Sequence, residues 1–530
     1  MSSTAPRWMP IALIGAGAAA ATGFQPLALW PFTLAALAVL IDRIEHARTA
    51  RHAALAGWLF GLGYFTLGNN WIATAFTYQA AMPAWLGWIA VVLLAVYLAV
   101  YPALAVFLAA WLTRRRGAAL LPALAGTWII AEYLRATLFT GFAWNPLAMA
   151  ALGGFTRPGL ALVVPWMGTY ALSGLVVLLG GLWLFAWRAV QSRKWLVAAA
   201  SAALPVALLL LPLHGSGAKN IGESGGDGRL AYTLVQPNIG QDTINDPSLY
   251  EGQFQGIARL SAPLAPGSTR VVLWPEGGLP DYLRPGYLQF FYNATTFGAD
   301  PALARARIGR VIGPGSLLLT GATDLVIEGN DVTAAGNVIT ALAADGSIRG
   351  SYAKAHLVPY GEYLPMRAWL APLGLSRLVS GSLDFLPGPG PRTLDLGVYG
   401  KAGLQICYEI IFSGQVTDRG HRPDYIFNPS NDGWFGAWGP PQHLAQARMR
   451  AIEEGLPVLR ATTTGISAVI DADGVVRQFV PRLKAGRLDG MVPPAHQPTL
   501  FARLGNTLAI GWAILLLGAS LVVARRRGER

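Results

Sequence analysis

Cys407 is the only cysteine among the 530 residues. It ends a short apolar run, Ala402 to Ile406, that reads as a buried strand, and a polar, helix-compatible stretch follows. A nucleophile where a strand turns into a helix gains an exposed side chain and nearby backbone N–H donors. Alone, the residue reads first as packing, because free cysteine is among the most buried residue types. Two more polar residues stand at the ends of expected strands. Glu276 follows Val271-Val272-Leu273-Trp274-Pro275, and Lys354 lies in Tyr352-Ala353-Lys354-Ala355-His356. A carboxylate can take a thiol proton, an ammonium can stabilise a thiolate and a developing oxyanion, and a cysteine can attack an acyl carbon. The trio suffices for acyl transfer through a thioester. Spacing does not bring the three together: taken singly, Glu276 also reads as a loop carboxylate and Lys354 as a surface lysine.

The elements that must position them lie beyond a Gly/Ser-rich linker, Gly215 to Gly228. Apolar, β-branched runs are read as strands at Leu230–Val235, Val271–Trp274, Leu317–Thr320, Val338–Leu342, Gly403–Ile406, Tyr425–Phe427, Val458–Thr462, Ser467–Ile470 and Val475–Phe479. Helices are expected near 247–261, 301–311, 409–420 and 441–455. In the last, Leu444, Ala447, Ala451 and Ile452 form one apolar face, with Arg448, Arg450, Glu453 and Glu454 mostly off it. Strands alternating with helices argue for a layered α/β domain. No phosphate loop, dinucleotide fingerprint or GxSxG elbow is present. The seven histidines show no HExxH or close carboxylate spacing, so neither metal nor cofactor is expected.

The rest of the chain is apolar. Residues are 53% hydrophobic and 13% charged, against about 25% charged in soluble domains, which points to a membrane protein. Segments long enough to span are read near 8–24, 27–43, 53–73, 84–112, 118–138, 161–187, 195–213 and 506–524. The net charge of +12 is spent on alternate connections: Arg43, Arg48 and Arg51, then Arg114-Arg115-Arg116, then Arg188, Arg193 and Lys194, then Arg525 to Arg530. Basic loops stay in the cytoplasm, so the segment from about 214 to 500 is expected on the periplasmic side. The same pattern argues against nucleic acid, which would call for a basic domain. Asn69-Asn70-Trp71 and the pair Glu132/Arg135 read as helix–helix glue or a functional cavity. Gly141 to Pro146 reads as an aromatic outer loop.

The motifs together resemble a known family. Trp274-Pro275-Glu276, then Lys354 with His356-Leu357-Val358-Pro359-Tyr360-Gly361-Glu362-Tyr363-Leu364-Pro365, then Cys407-Tyr408-Glu409 resemble the Glu-Lys-Cys motifs of the nitrilase superfamily. More narrowly they resemble the bacterial apolipoprotein N-acyltransferases. Asn428 to Gly436, Gln442-His443 through Glu453, and Leu459 to Ser467 are similar to that family's later motifs. One departure is a missing tryptophan at Ile244-Asn245-Asp246.

The resemblance implies a membrane domain over 1–214 with seven of about eight transmembrane helices. It implies a periplasmic nitrilase-like α-β-β-α sandwich over 229–492, and a closing helix with a basic tail over 500–530. It implies Glu276, Lys354 and Cys407 as catalytic groups and Glu362, Tyr408 and Glu409 in support, with a backbone N–H near Tyr408 among the oxyanion donors. Trp144, Trp434, Phe435 and Trp438 are candidate lipid contacts, the last three on a lid. Other aromatic stretches, Tyr282 to Tyr292 and Met366 to Leu370, are candidates for a lipid-facing mouth. The implied acyl donor is a phospholipid, phosphatidylethanolamine by expectation. The acceptor is a diacylglyceryl apolipoprotein, and the setting is the bacterial inner membrane. The enzyme is expected to be a monomer. The competing reading is a membrane-tethered nitrilase or amidase acting on a small amide or nitrile.

Overall fold

The computed structural model describes residues 8–78, 83–114, 118–210, 230–329, 331–370, 372 and 384–528. The chain separates into two units: Met1–Thr74 with Ala84–Ser216 and Pro498–Arg530, and Ala75–Pro83 with Gly217–Gln497.

The first unit is helical. Its long helices are Met9–Ala21, Trp30–Glu45, Ala50–Gly68, Leu86–Leu98 running on as Val100–Thr113, Leu120–Thr137, Thr169–Gln191, Trp195–Leu210 and Asn506–Gly528. Each of the eight apolar segments of the sequence falls on one of them. Leu86–Thr113, Thr169–Gln191 and Asn506–Arg525 are long and apolar enough to cross a membrane by length and composition. The others are shorter or carry charge, as Asp42, Arg43 and Glu45 do at the end of Trp30–Glu45. Two glycines set the closest helix approach: a Cβ on Gly17 would lie 1.8 Å from the Phe60 carbonyl oxygen, and one on Gly63 1.9 Å from that of Ile14. Small residues at such crossings are how apolar helices pack without a hydrophobic drive.

Glu132 and Arg135 bind the segment that follows their helix, and both also line a cavity with Phe60, Tyr64, Tyr101 and Trp128. Glu132 Oε1 accepts from Trp128 Nε1 (3.1 Å) and the Leu147 amide (2.8 Å). Arg135 Nη1 donates to the carbonyls of Phe142 (2.7 Å) and Trp144 (2.8 Å). At another level, Arg188 ties two helices by pairing with Asp42 (2.8 Å) and Glu45 (2.6 Å). Of the basic triplet at 114–116, only Arg114 lies within the described residues.

The second unit holds the strands. In chain order they are β1 Ala231–Gln236, β2 Arg270–Leu273, β3 Ser316–Glu328, β4 Asp331–Ala343, β5 Ile348–Ala353 and β6 Thr393–Asp395. The second six are β7 Lys401–Leu404, β8 Tyr425–Ser430, β9 Val458–Thr462, β10 Ser467–Ile470, β11 Val476–Val480 and β12 Gly486–Met491. They form two six-stranded sheets, ordered β12-β1-β2-β3-β4-β5 and β11-β10-β9-β8-β7-β6. In each, the central three strands run parallel (β1, β2, β3 and β7, β8, β9) and the flanking strands antiparallel. Apart from Ala231, the parallel-paired residues of these strands are buried, as strand segments covered on both faces must be.

Helices Tyr250–Ser261 and Pro301–Ile312 cover the first sheet. Phe254, Ile257, Ile308 and Ile312 share a core with Val235, Val272, Trp274 and Leu318. The sheets are tied by Gln236. Its Oε1 accepts from Thr462 Oγ1 and the Ser467 amide (2.9 Å each), and its Nε2 donates to the carbonyls of Pro481 and Lys484 (2.9 Å each).

Two expectations are corrected. The stretch 409–420 is no helix: a 3-10 turn, Cys407–Ile411, gives out at Phe412, and Gly414 sits at φ +73. Helix Gly439–Glu454 buries its polar side as well as its apolar face. Arg450 pairs with Glu453 (2.7 Å) and donates to the Ile411 carbonyl (3.0 Å), while Ser413 donates to Glu453 (2.7 Å). That polar side props the turn after Cys407.

Candidate active site

β2 stops at Leu273, and Trp274-Pro275 carry the chain to Glu276. Trp274 is fully buried, its Nε1 donating to Ser261 Oγ (2.8 Å) and its amide to the Leu319 carbonyl (3.0 Å). The neighbouring strand comes close enough that a Cβ on Gly321 would lie 2.8 Å from the Glu276 Cα. Glu276 Oε1 accepts from Asn337 Nδ2 (2.7 Å), and Oε2 from the Asn431 amide (2.9 Å). The two carboxylate oxygens are thereby aimed by donors from β4 of the first sheet and from the turn that follows β8 of the second.

Lys354 is the residue after β5. Its amide donates to the Asn337 carbonyl (2.9 Å) and its carbonyl accepts from Gly388 (2.7 Å). The side chain is 1% exposed, with Nζ 2.8 Å from Glu362 Oε1 and 3.6 Å from Glu276 Oε1. Burial alone would push the ammonium down, but the charges of Glu362 and Glu276 outweigh it and hold Lys354 above the ordinary lysine value. It remains a cation. Asn337 Nδ2 also reaches Glu362 Oε1 (2.9 Å), and the Val358 amide donates to Glu362 Oε2 (2.7 Å).

Cys407 comes from the other sheet. β7 ends at Leu404, and the Gln405 amide still pairs with the Phe427 carbonyl (3.0 Å). The chain then turns sharply, with Cys407 at φ +50, a left-handed conformation that residues with a Cβ seldom adopt. Such outliers cluster where geometry is functional. The thiol is buried. Burial pushes it well above its ordinary value, the Glu276 charge adds to this, and the Lys354 charge opposes it. The thiol therefore feels both groups, and at rest it keeps its proton.

Glu409 braces the turn. Its Oε2 accepts from the Ile406 amide (2.7 Å), and its Oε1 from Tyr352 Oη (2.7 Å), the Ala355 amide (2.7 Å) and the His356 amide (3.1 Å). Burial pushes its carboxyl up to about 7, yet all four neighbours are donors and favour the anion. One side chain so joins the Lys354 strand end to the Cys407 turn. Tyr408 is buried, edge-on to Phe412 at 5.2 Å.

The remaining expected residues divide. Trp434 and Phe435 lie in a 3-10 turn, Asp432–Phe435, and Trp438 caps helix Gly439–Glu454. Trp434 is half-buried and edge-on to Tyr78 at 5.8 Å, and Phe435 is buried edge-on to His443 at 5.6 Å. Trp144 belongs to the helical unit, where it is fully buried 4.5 Å from Trp71. It has no exposed face for a lipid, so its expected contact is corrected to packing. Tyr292 is likewise core, its hydroxyl bonded to the Arg284 carbonyl (2.6 Å). Phe290, Met366 and Trp369 do present their apolar surface, at 73%, 65% and 78% exposure.

Reading the sequence assigned no role to Asn337, and it placed Asn431, Asp432, His443 and Arg460 in family-like motifs without giving them one. A polar residue just ahead of the apolar run Val338–Leu342 was the signal available for Asn337.

Comparison with known proteins adds the following. Residues 16–182 match the family model described as apolipoprotein N-acyltransferase N-terminal domain, and residues 233–487 match carbon-nitrogen hydrolase. An apolipoprotein N-acyltransferase of Rhodopseudomonas palustris is 34% identical over 98% of this chain and 95% of its own. One of Bradyrhizobium diazoefficiens is 35% identical over 97% and 94%. Among solved structures, a Nesterenkonia amidase of the nitrilase superfamily covers 50% of this chain and 91% of its own, at 16% identity and TM-score 0.34.

Proposed function

This chain belongs to the apolipoprotein N-acyltransferase family, and from that we propose how its residues move an acyl chain from a phospholipid to an apolipoprotein. Glu276 takes the Cys407 proton as sulfur attacks the sn-1 ester carbonyl. Because the resting thiol is protonated, proton removal accompanies attack. Lys354 and the Tyr408 N–H carry the oxyanion. The C–O bond breaks, Glu276 returns the proton to the departing alkoxide, and lysophospholipid leaves behind a Cys407 thioester. The α-amine of the diacylglyceryl-cysteine then attacks the thioester. Glu276 accepts its proton and passes it to the departing Cys407 sulfur. The product is an N-acylated lipoprotein and free enzyme.

Glu362 holds Lys354, and Glu409 holds the turn. Phosphatidylethanolamine is the proposed donor. We place the enzyme as a monomer in the inner membrane with eight spans. Residues 1–214 and 500–530 form its membrane part, and residues 229–492 form a periplasmic α-β-β-α sandwich. Trp434, Phe435 and Trp438 line the approach. No cofactor enters this scheme.

One observation supports the reading above others: the buried Lys354 ammonium stands between the carboxylates of Glu362 and Glu276, 2.8 and 3.6 Å away, and Glu409 ties that strand end to the turn that carries Cys407. The test is mass spectrometry of enzyme given phospholipid alone. A fatty-acyl adduct on Cys407 is expected, and Cys407→Ser should show no thioester. An active preparation without the adduct would favour a hydrolase of small amides.

A further inference from the structure

Behind Cys407 lies a group of ionisable side chains that the scheme above does not use. His443 Nε2 stands 3.0 Å from the Cys407 carbonyl oxygen, and Asn428 Nδ2 reaches the same oxygen at 3.5 Å. His443 Nδ1 faces Asp432 Oδ1 and Arg460 Nη2, both at 3.0 Å. Arg460 Nη2 meets both oxygens of Asp432 at 2.8 and 2.7 Å, and its Nη1 donates to Ser430 Oγ (3.0 Å) and to Asn428 Oδ1. Asp432, His443 and Arg460 expose at most 2% of their surface. Burying three such groups is expensive, and replacing them with apolar residues would often stabilise a fold. Fixing a geometry is one use that justifies the cost.

A carbonyl has no hydrogen to give, so His443 carries its proton on Nε2 and donates it. The Cys407 carbonyl and the Tyr408 N–H belong to one planar trans peptide and point in opposite directions. Holding the oxygen back toward His443 aims the N–H the other way. It also holds Cys407 at φ +50, which needs support from its surroundings.

We propose that His443, anchored by Asp432 and Arg460, is a positioning residue that grips the Cys407 carbonyl and so aims the Tyr408 N–H at the developing oxyanion. This rests on Cys407 being the acyl nucleophile. It separates two reactions of one thiol. Acylation passes through an oxyanion, whereas alkylation by iodoacetamide is a displacement that forms none.

The test uses the full-length enzyme and two variants. In His443→Gln, the amide nitrogen can reach the place of Nε2. In His443→Asn, the amide reaches only the place of Nδ1, where its oxygen can accept from Arg460, and the grip on the carbonyl is lost. For His443→Asn, thioester formation from phospholipid should slow about 10²- to 10³-fold, the loss typical of one oxyanion donor. The KM for phospholipid and the iodoacetamide rate should stay within about threefold, since neither depends on that donor. His443→Gln should form thioester at least about tenfold faster than His443→Asn, because it keeps the grip on the carbonyl. Acylation and alkylation falling in step, or Gln doing no better than Asn, would overturn the proposal. If neither variant folds, Asp432→Asn gives the same comparison through a loosened imidazole, with equal slowing of both reactions again counting against it. Failure of the unmodified enzyme to form a thioester would instead remove the reading of Cys407 itself.

Discussion

Asn337 is the residue on which three parts of the site depend. Its amide nitrogen serves Glu276 and Glu362, and its backbone carbonyl fixes the start of Lys354. Hydrogen bonds to charged groups contribute about 1.5–3 kcal/mol, and about 1.4 kcal/mol is tenfold in rate. Asn337→Leu should therefore slow turnover roughly 10- to 100-fold, read by steady-state kinetics, while Cys407 still alkylates. Lys354→Met goes further. It leaves Glu276 and Glu362 facing one another without a cation and removes an oxyanion partner. Thioester formation should fall by at least about 10³-fold, beyond the loss of a single donor. Turnover within tenfold of normal would contradict that role. Of these residues, Glu276, Lys354 and Cys407 were legible because their flanking motifs were. Asn337 was not, because Ala334, Ala335 and Gly336 before it carry no motif and its partners are distant in sequence.

The elements tell a similar story about what a sequence carries. The strands read from apolar runs are mostly those with neighbours on both sides. The three that escaped, β5, β6 and β12, are edges of their sheets. Edge strands need less apolar surface, and β12 shows it: Gly486, Arg487, Asp489 and Gly490 interrupt its pattern. The expected helix at 409–420 failed for a different reason. Its first residues are bound into a tight turn by Glu409 and propped by Arg450, so tertiary contacts outweigh local helix preference. The element scale also predicts a glycine effect. A Cβ on Gly465 would stand 2.4 Å from Asp432 Oδ2. Gly465→Ala should disturb the Asp432–Arg460 pair and lower the melting temperature by several degrees, about 4 °C or more if it costs 2 kcal/mol. An unchanged melting curve would show that the pair can shift without loss.

At the scale of the whole molecule, Phe290, Met366 and Trp369 turn their apolar side chains outward from the catalytic unit. If these side chains meet lipid, alanine at Met366 and Trp369 together should raise the KM for phospholipid several-fold and leave Cys407 alkylation alone. An unchanged KM would assign them another role. The proposed topology is checked by a tag placed after Gly329, at the exposed turn after β3. It should be reached by an impermeant reagent from the outer side, and labelling only after lysis would reverse the orientation. The membrane half was legible as helices, because apolar length is a sequence property. Which partners its inner charges bind was not, since Glu132 and Arg135 find theirs in a loop several residues further on.

The two reacting halves of the site stand on different sheets, Glu276 and Lys354 after strands of one and Cys407 after a strand of the other. The first of these sheets is closed by β12, whose Met491 pairs with Ala231 at the start of β1. A chain made from its amino end thus completes its base, its lysine and finally its thiol before the strand that closes the first sheet is made.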